Sequence, residues 1–167
     1  MKKNLANIIT GSRILGTLVL IFLPVLSVPY LIIHTLTGAT DAIDGYVARK
    51  TNSVSSFGSK LDTASDLLFY TVMMLKLWDI LQANLPRYVW VLIYIILTLR
   101  AIYYLLVAFK YKTLSSRHSV LNKIAGLLMF ALVYVVKSKY LLYYSLLILV
   151  ITYTSLIQET IYLIKNK

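Results

Sequence analysis

Residues 41–66 read DAIDGYVARKTNSVSSFGSKLDTASD and contain Asp41, Asp44, Asp62 and Asp66. The chain has only six acids, Asp79 and Glu159 being the other two, so most of its negative charge sits in this stretch. Apolar sequence flanks it on both sides, SVPYLIIHTLTGAT from Ser27 and LLFYTVMMLKLW from Leu67. Asp41 and Asp44 are three residues apart and Asp62 and Asp66 four apart, so on helices each pair shares a face. The polar break Lys50–Ser56 is short, which predicts antiparallel neighbouring helices whose ends bring the two pairs together.

Such a cluster needs a reason. An ionised aspartate deep in a bilayer costs about 2.5–3.5 kcal/mol on insertion scales, and four carboxylates also repel one another. Oxygen-only ligands suit hard cations, Mg²⁺ or Mn²⁺, with Ca²⁺ either substituting or inhibiting. Two divalent ions match the four charges, and a two-metal site suits phosphoryl chemistry. Pairing with Arg49, Lys50 and Lys60 is the plainer alternative, but salt bridges do not require this spacing. Gly45 and Ala48 follow Asp44, and Gly58, Asp62 and Asp66 fall at four-residue steps. Small residues there admit a ligand or another backbone, although helix packing alone also uses them.

Working outward, 59% of the 167 residues are hydrophobic and 14% charged, which points to membrane spans. Apolar segments run over about 12–26, 29–48, 61–83, 87–109, 119–136 and 140–163. The expected fold is therefore an all-α membrane protein of six transmembrane helices in one domain, 1–167. Residues 3–13 are a candidate for a short interfacial helix. Lys2 and Lys3 before an apolar run resemble a signal peptide, but no small-residue cleavage site follows Pro24, which favours a retained first helix. The absence of cysteine excludes disulfides and thiolate metal sites. The net charge of +11 fits cationic loops and anionic lipid better than nucleic acid, because no basic run is interleaved with aromatics. Tyr88, Tyr111, Tyr140 and Tyr143 fit an aromatic belt.

The pattern Asp41-x-x-Asp44-Gly45-x-x-Ala48-Arg49, then Gly58, Asp62 and Asp66, resembles the signature of the CDP-alcohol phosphatidyltransferase family, with every fixed position filled. The resemblance implies a homodimer of six-helix chains embedded in a bacterial plasma membrane, with the site opening to the cytoplasm. Such enzymes join a CDP-linked lipid or alcohol to a hydroxyl acceptor and release CMP. By position, Asp41, Asp44, Asp62 and Asp66 would hold two divalent cations, and Asp66 would also be the general base. Gly45, Ala48, Arg49, Gly58 and Asp62 would hold the CDP group.

The first acceptor to consider is glycerol 3-phosphate, with CDP-diacylglycerol as donor. Asn7-Ile8-Ile9-Thr10-x-x-Arg13 and Arg100 resemble the branch that makes phosphatidylglycerol phosphate. The segment Asp62-Thr63-Ala64-Ser65-Asp66-Leu67, Ala101 and the run Arg117 to Lys123 depart from it. Arg100 lies within a span, where an arginine calls for a function; Arg100, Lys110, Arg117 and Arg13 are candidates for an acceptor phosphate. Arg100 paired with Glu159 is the competing structural reading. His34, seven residues before Asp41, reads as a structural histidine. Within the family, the alternative is a CDP-amino-alcohol donor acting on diacylglycerol. Outside it stand an intramembrane divalent-cation carrier, for which Arg49 beside the acids is ill suited, and an idle membrane scaffold.

Basic residues set the expected orientation. Lys2, Lys3, Arg13, Arg49, Lys50, Lys60, Lys110, Lys112, Arg117, Lys123, Lys165 and Lys167 fall on one side, and Lys76, Arg87, Lys137 and Lys139 on the other. This asymmetry predicts both termini and the Lys50–Ser56 break in the cytoplasm. Single cysteines in place of Ser53 and Ser138 test it in the cysteine-free chain. A membrane-impermeant thiol reagent on intact cells should label position 138 and spare 53; the reverse pattern refutes the orientation.

Overall fold

The computed structural model describes the backbone at 5–50, 56–111 and 120–165, and side chains at 10–40, 58, 61–109 and 120–165. The described residues form six α-helices: α1 Leu5–Phe22, α2 Val28–Lys50, α3 Ser56–Asn84, α4 Arg87–Tyr111, α5 Val120–Val135 and α6 Leu141–Lys165. Among them there is no strand. Two helices, at Arg87–Phe109 and Leu141–Lys165, are long and apolar enough by themselves to cross a membrane. The apolar part of α1 and the whole of α5 are shorter, and α2 and α3 are diluted by the polar residues at their facing ends.

Helix boundaries follow local chemistry. Where the sequence suggested an interfacial helix at 3–13 and a span from 12 to 26, α1 is one uninterrupted helix that stops at Phe22. No proline lies between Leu5 and Phe22, whereas Pro24 lacks the N–H that a helix interior requires. The turn then passes through Leu26 at a φ of 63°, and the Ser27 amide donates to the Pro24 carbonyl at 3.2 Å. Ser27 caps α2, its Oγ accepting from the Tyr30 amide at 3.3 Å, with Pro29 in the first turn where a missing donor does no harm. Lys76 donates to the Ile21 carbonyl at 2.9 Å, placing a cation at the negative end of α1. Pro86 separates α3 from α4, and a turn around Ser138 separates α5 from α6.

The chain forms two compact units, Met1–Trp78 and Asp79–Lys167. In the first, α1 packs along α2, and Gly16 permits the approach because a β-carbon there would collide with Thr37. The buried stripe of α1 is Thr10, Arg13, Thr17 and Leu20, at helical spacing. Tyr30, His34 and Thr37 form the matching stripe of α2, and Ser65, Phe69, Val72, Met73 and Leu77 that of α3. Leu15, Leu18, Phe22, Ile32, Leu36, Leu67 and Leu75 face outward. A surface of large aliphatic side chains around a partly polar interior reverses the pattern of a water-soluble domain, as expected for lipid surroundings. In the second unit α6 packs against α5 and α4, with Tyr103, Val107 and Leu156 forming a small apolar core. Tyr144 ties α6 to α5 by donating to the Leu128 carbonyl at 2.9 Å.

Candidate active site

In the first unit, α3 presents Asp62, Ser65 and Asp66 on one face and α1 presents Arg13 toward them. A single nitrogen, Nη1 of Arg13, donates to Asp62 Oδ1 at 2.9 Å, Asp66 Oδ1 at 2.6 Å and Ser65 Oγ at 3.0 Å. Ser65 can accept because its own hydrogen goes to the Asp62 carbonyl, at 2.8 Å. Arg13 is 1% exposed, while the side chains of Asp62 and Asp66 are 44% and 42% exposed. The guanidinium is thus the floor of the site and the carboxylates its accessible walls. Thr17 braces the arginine's own turn by donating to the Arg13 carbonyl at 2.8 Å.

This geometry bears on whether a cation fits. Oδ1 of both aspartates lies within 2.9 Å of Arg13 Nη1, so the arginine holds the two half-exposed carboxylates on one side of itself, and each carboxylate carries a second oxygen that a cation beside the arginine could use. The donor set there is all oxygen, the chemistry a hard divalent cation prefers. No third His, Cys, Asp or Glu joins the pair among the described residues. Asp41, Asp44, Gly45, Ala48 and Arg49 lie on α2, but their side chains are outside the described residues, as are those of Lys110 and Arg117. Gly58 sits in the first turn of α3, one and two four-residue steps before Asp62 and Asp66.

His34 is fully buried and stacked, its ring centroid 5.0 Å from Phe69 and 6.0 Å from Tyr30. That is the structural histidine expected from the sequence. It links α2 to α3 through an aromatic column below the aspartates.

The second unit contains a separate polar cluster. Arg100 Nη2 donates to Asn122 Oδ1 at 2.9 Å, and Ser155 Oγ donates to the same oxygen at 2.6 Å. Asn122 Nδ2 in turn donates to Oε1 of Glu159, which is 4% exposed. Arg100 and Glu159 are therefore coupled, as the competing sequence reading proposed, but through an asparagine. Neither Asn122 nor Ser155 stood out in the sequence. The signal was available as polar residues at the start of one apolar helix and in the last three turns of another.

A family profile described as CDP-alcohol phosphatidyltransferase matches residues 3–158. The chain belongs to that family. Curated relatives include CDP-diacylglycerol–glycerol-3-phosphate 3-phosphatidyltransferases of Rickettsia bellii, 36% identical over 86 residues, and of Rickettsia typhi, 38% identical over 82. These matches cover 47% and 44% of this chain and 48% and 46% of the relatives, so the similarity spans about half the length of each. A CDP-diacylglycerol–serine O-phosphatidyltransferase of Methanocaldococcus jannaschii is 44% identical over 68 residues, 40% of this chain and 27% of that protein. No solved structure matches.

The phosphatidyltransferase-family site carries a testable electrostatic asymmetry. Asp62 and Asp66 both meet Nη1 of Arg13, so either alone keeps a counter-charge at that nitrogen, and removing both takes away the two that it holds. In metal-free detergent solution, Asp62→Asn and Asp66→Asn singly should each cost less than about 1 kcal/mol, because both side chains are half exposed. Together they should cost clearly more than the sum, by about 1–3 kcal/mol. Additive thermal-unfolding shifts would show that Arg13 does not depend on the pair.

Proposed function

We propose that this protein transfers a phosphatidyl group from CDP-diacylglycerol to the hydroxyl of a small polar alcohol, with glycerol 3-phosphate first among acceptors, and releases CMP. The observation that carries the reading is the convergence of two half-exposed carboxylates, Asp62 and Asp66, on one cationic point. Membership of the family and the names of the Rickettsia relatives support it. The archaeal relative supports L-serine as the second acceptor to test.

On this reading Asp41, Asp44, Asp62 and Asp66 hold two divalent cations, Mg²⁺ or Mn²⁺. Bound there, the metals would supply neutralisation of the donor's diphosphate charge. The chain's own residues do the rest. Asp66 takes the proton of the acceptor hydroxyl as that oxygen forms a bond to the lipid-bearing phosphorus and the bond from phosphorus to CMP breaks. Arg13 fixes the base through Oδ1, so the carboxylate does not have to be ordered at the moment of reaction. Gly45, Ala48, Arg49 and Gly58 hold the CDP group, with Arg49 offering a fork to phosphate oxygens. Arg100, Lys110 and Arg117 are the acceptor-side cations. The six helices are six spans of a homodimeric plasma-membrane enzyme whose site opens to the cytoplasm.

The decisive experiment is CMP release from purified protein given CDP-diacylglycerol and a panel of alcohols. Activity should vanish with EDTA and return with Mg²⁺ or Mn²⁺. Asp66→Asn should still bind the CDP donor by isothermal titration yet turn over at least about a hundredfold more slowly, in line with general-base contributions of about 10²–10⁴. Asp62→Asn should weaken donor binding as well. Near-normal turnover by Asp66→Asn refutes its role as base, and CMP release from a CDP-amino alcohol with diacylglycerol, but not from CDP-diacylglycerol, reverses the donor assignment.

A further inference from the structure

The cluster around Asn122 solves a specific problem. Arg100 lies eleven residues before the end of α4, about 16 Å along the helix, too deep for its head to be held by interfacial water alone. Glu159 is the acid that could neutralise it, yet the two are joined only through Asn122. A direct arginine–carboxylate fork would engage two parallel N–H donors of the five that a guanidinium carries. Interposing an amide avoids this. A carboxylate can only accept and an arginine can only donate, so Asn122 must turn its nitrogen to Glu159 and its oxygen to Arg100. Ser155 reinforces that orientation by donating to the same oxygen.

Two buried atoms remain. Nε of Arg100 and Oε2 of Glu159 have no hydrogen-bond partner among the described residues. A buried guanidinium N–H left unmet is costly, and a ligand that meets it recovers that cost. Nε and a neighbouring Nη form the edge that grips two oxygens of a phosphate or carboxylate.

We infer that Asn122 and Glu159 are positioning residues that hold Arg100 as the receptor for the anionic group of a small acceptor, a phosphate monoester or a carboxylate. The inference rests on the reading of Arg100 as an acceptor-side cation. Glu159 acts through its hydrogen bond to Asn122, and Asn122 through Arg100; neither touches the reacting atoms.

The test uses the full chain in detergent, with glycerol 3-phosphate and L-serine as acceptors and CDP-diacylglycerol as donor. Arg100→Ala should raise the acceptor KM by about 10- to 100-fold, the range of one charge-assisted contact. Asn122→Leu and Glu159→Leu should raise it at least about tenfold, with the donor KM within about twofold and kcat within about threefold. Glu159→Gln keeps an oxygen for Asn122 and should stay within about threefold of the parent. If Arg100→Ala raises the acceptor KM while Asn122→Leu does not, the positioning role is wrong and the reading of Arg100 stands. If Arg100→Ala leaves the acceptor KM unchanged, or neither acceptor is turned over, both fall. Equal losses for Glu159→Gln and Glu159→Leu also overturn the proposal, since charge rather than orientation would then be what Glu159 supplies.

Discussion

Arg13 is a charged side chain 1% exposed inside a helical unit whose outward face is leucine, valine and phenylalanine. Such a charge is tolerated only beside opposite charge, and Asp62 and Asp66 supply it through one shared nitrogen. The consequence runs in both directions. The arginine needs the aspartates, and the aspartates, four residues apart on α3, are held facing the same point by the arginine. Pairing that would otherwise be a stability device therefore also pre-organises two carboxylates, the requirement for holding a cation or orienting a base.

The rest of the first unit is arranged around that contact. Gly16 lets α1 approach Thr37 of α2, and the aromatic column Tyr30–His34–Phe69 joins α2 to α3. Thr10, Arg13 and Thr17 form, with Leu20, the buried stripe of a helix whose Leu15, Leu18, Val19, Ile21 and Phe22 face outward. The second unit repeats the logic with different residues. Its polar side chains Arg100, Asn122, Ser155 and Glu159 hydrogen-bond to one another across three helices, Ser155 and Glu159 being buried, and the surrounding surface is again apolar. In both units polar chemistry is inside, where a hydrocarbon environment would place it.

Much of this was legible in the sequence because the signals were local. The breaks at Pro24, Pro86 and Ser138 divide helices as proline and short polar turns must. The three- and four-residue spacing of the aspartates reads directly as helix faces. Less legible was whatever depends on partners far apart in the chain. Arg13 pairs with residues about fifty positions away, and nothing near it in sequence distinguishes a phosphate-binding arginine from one held by carboxylates. Asn122 was similarly hidden, since an isolated asparagine at the start of an apolar helix reads as a boundary residue. The start of α1 was misplaced because Arg13 looked like an interfacial residue, whereas it is buried against Asp62 and Asp66 within one continuous helix. The α2 half of the aspartate pattern remains a matter of spacing, its side chains lying outside the described residues.

Divalent-cation binding by the aspartates of α3 beside Arg13 is the property on which the proposed chemistry depends. Mn²⁺ titration of the purified chain, followed by electron paramagnetic resonance with a CDP-linked ligand present, reads that directly. Two ions should bind per chain with magnetic coupling between them, and the coupled signal should be lost in Asp62→Asn with the helical content unchanged. Retention of the coupled signal in a chain carrying both Asp62→Asn and Asp66→Asn would contradict it.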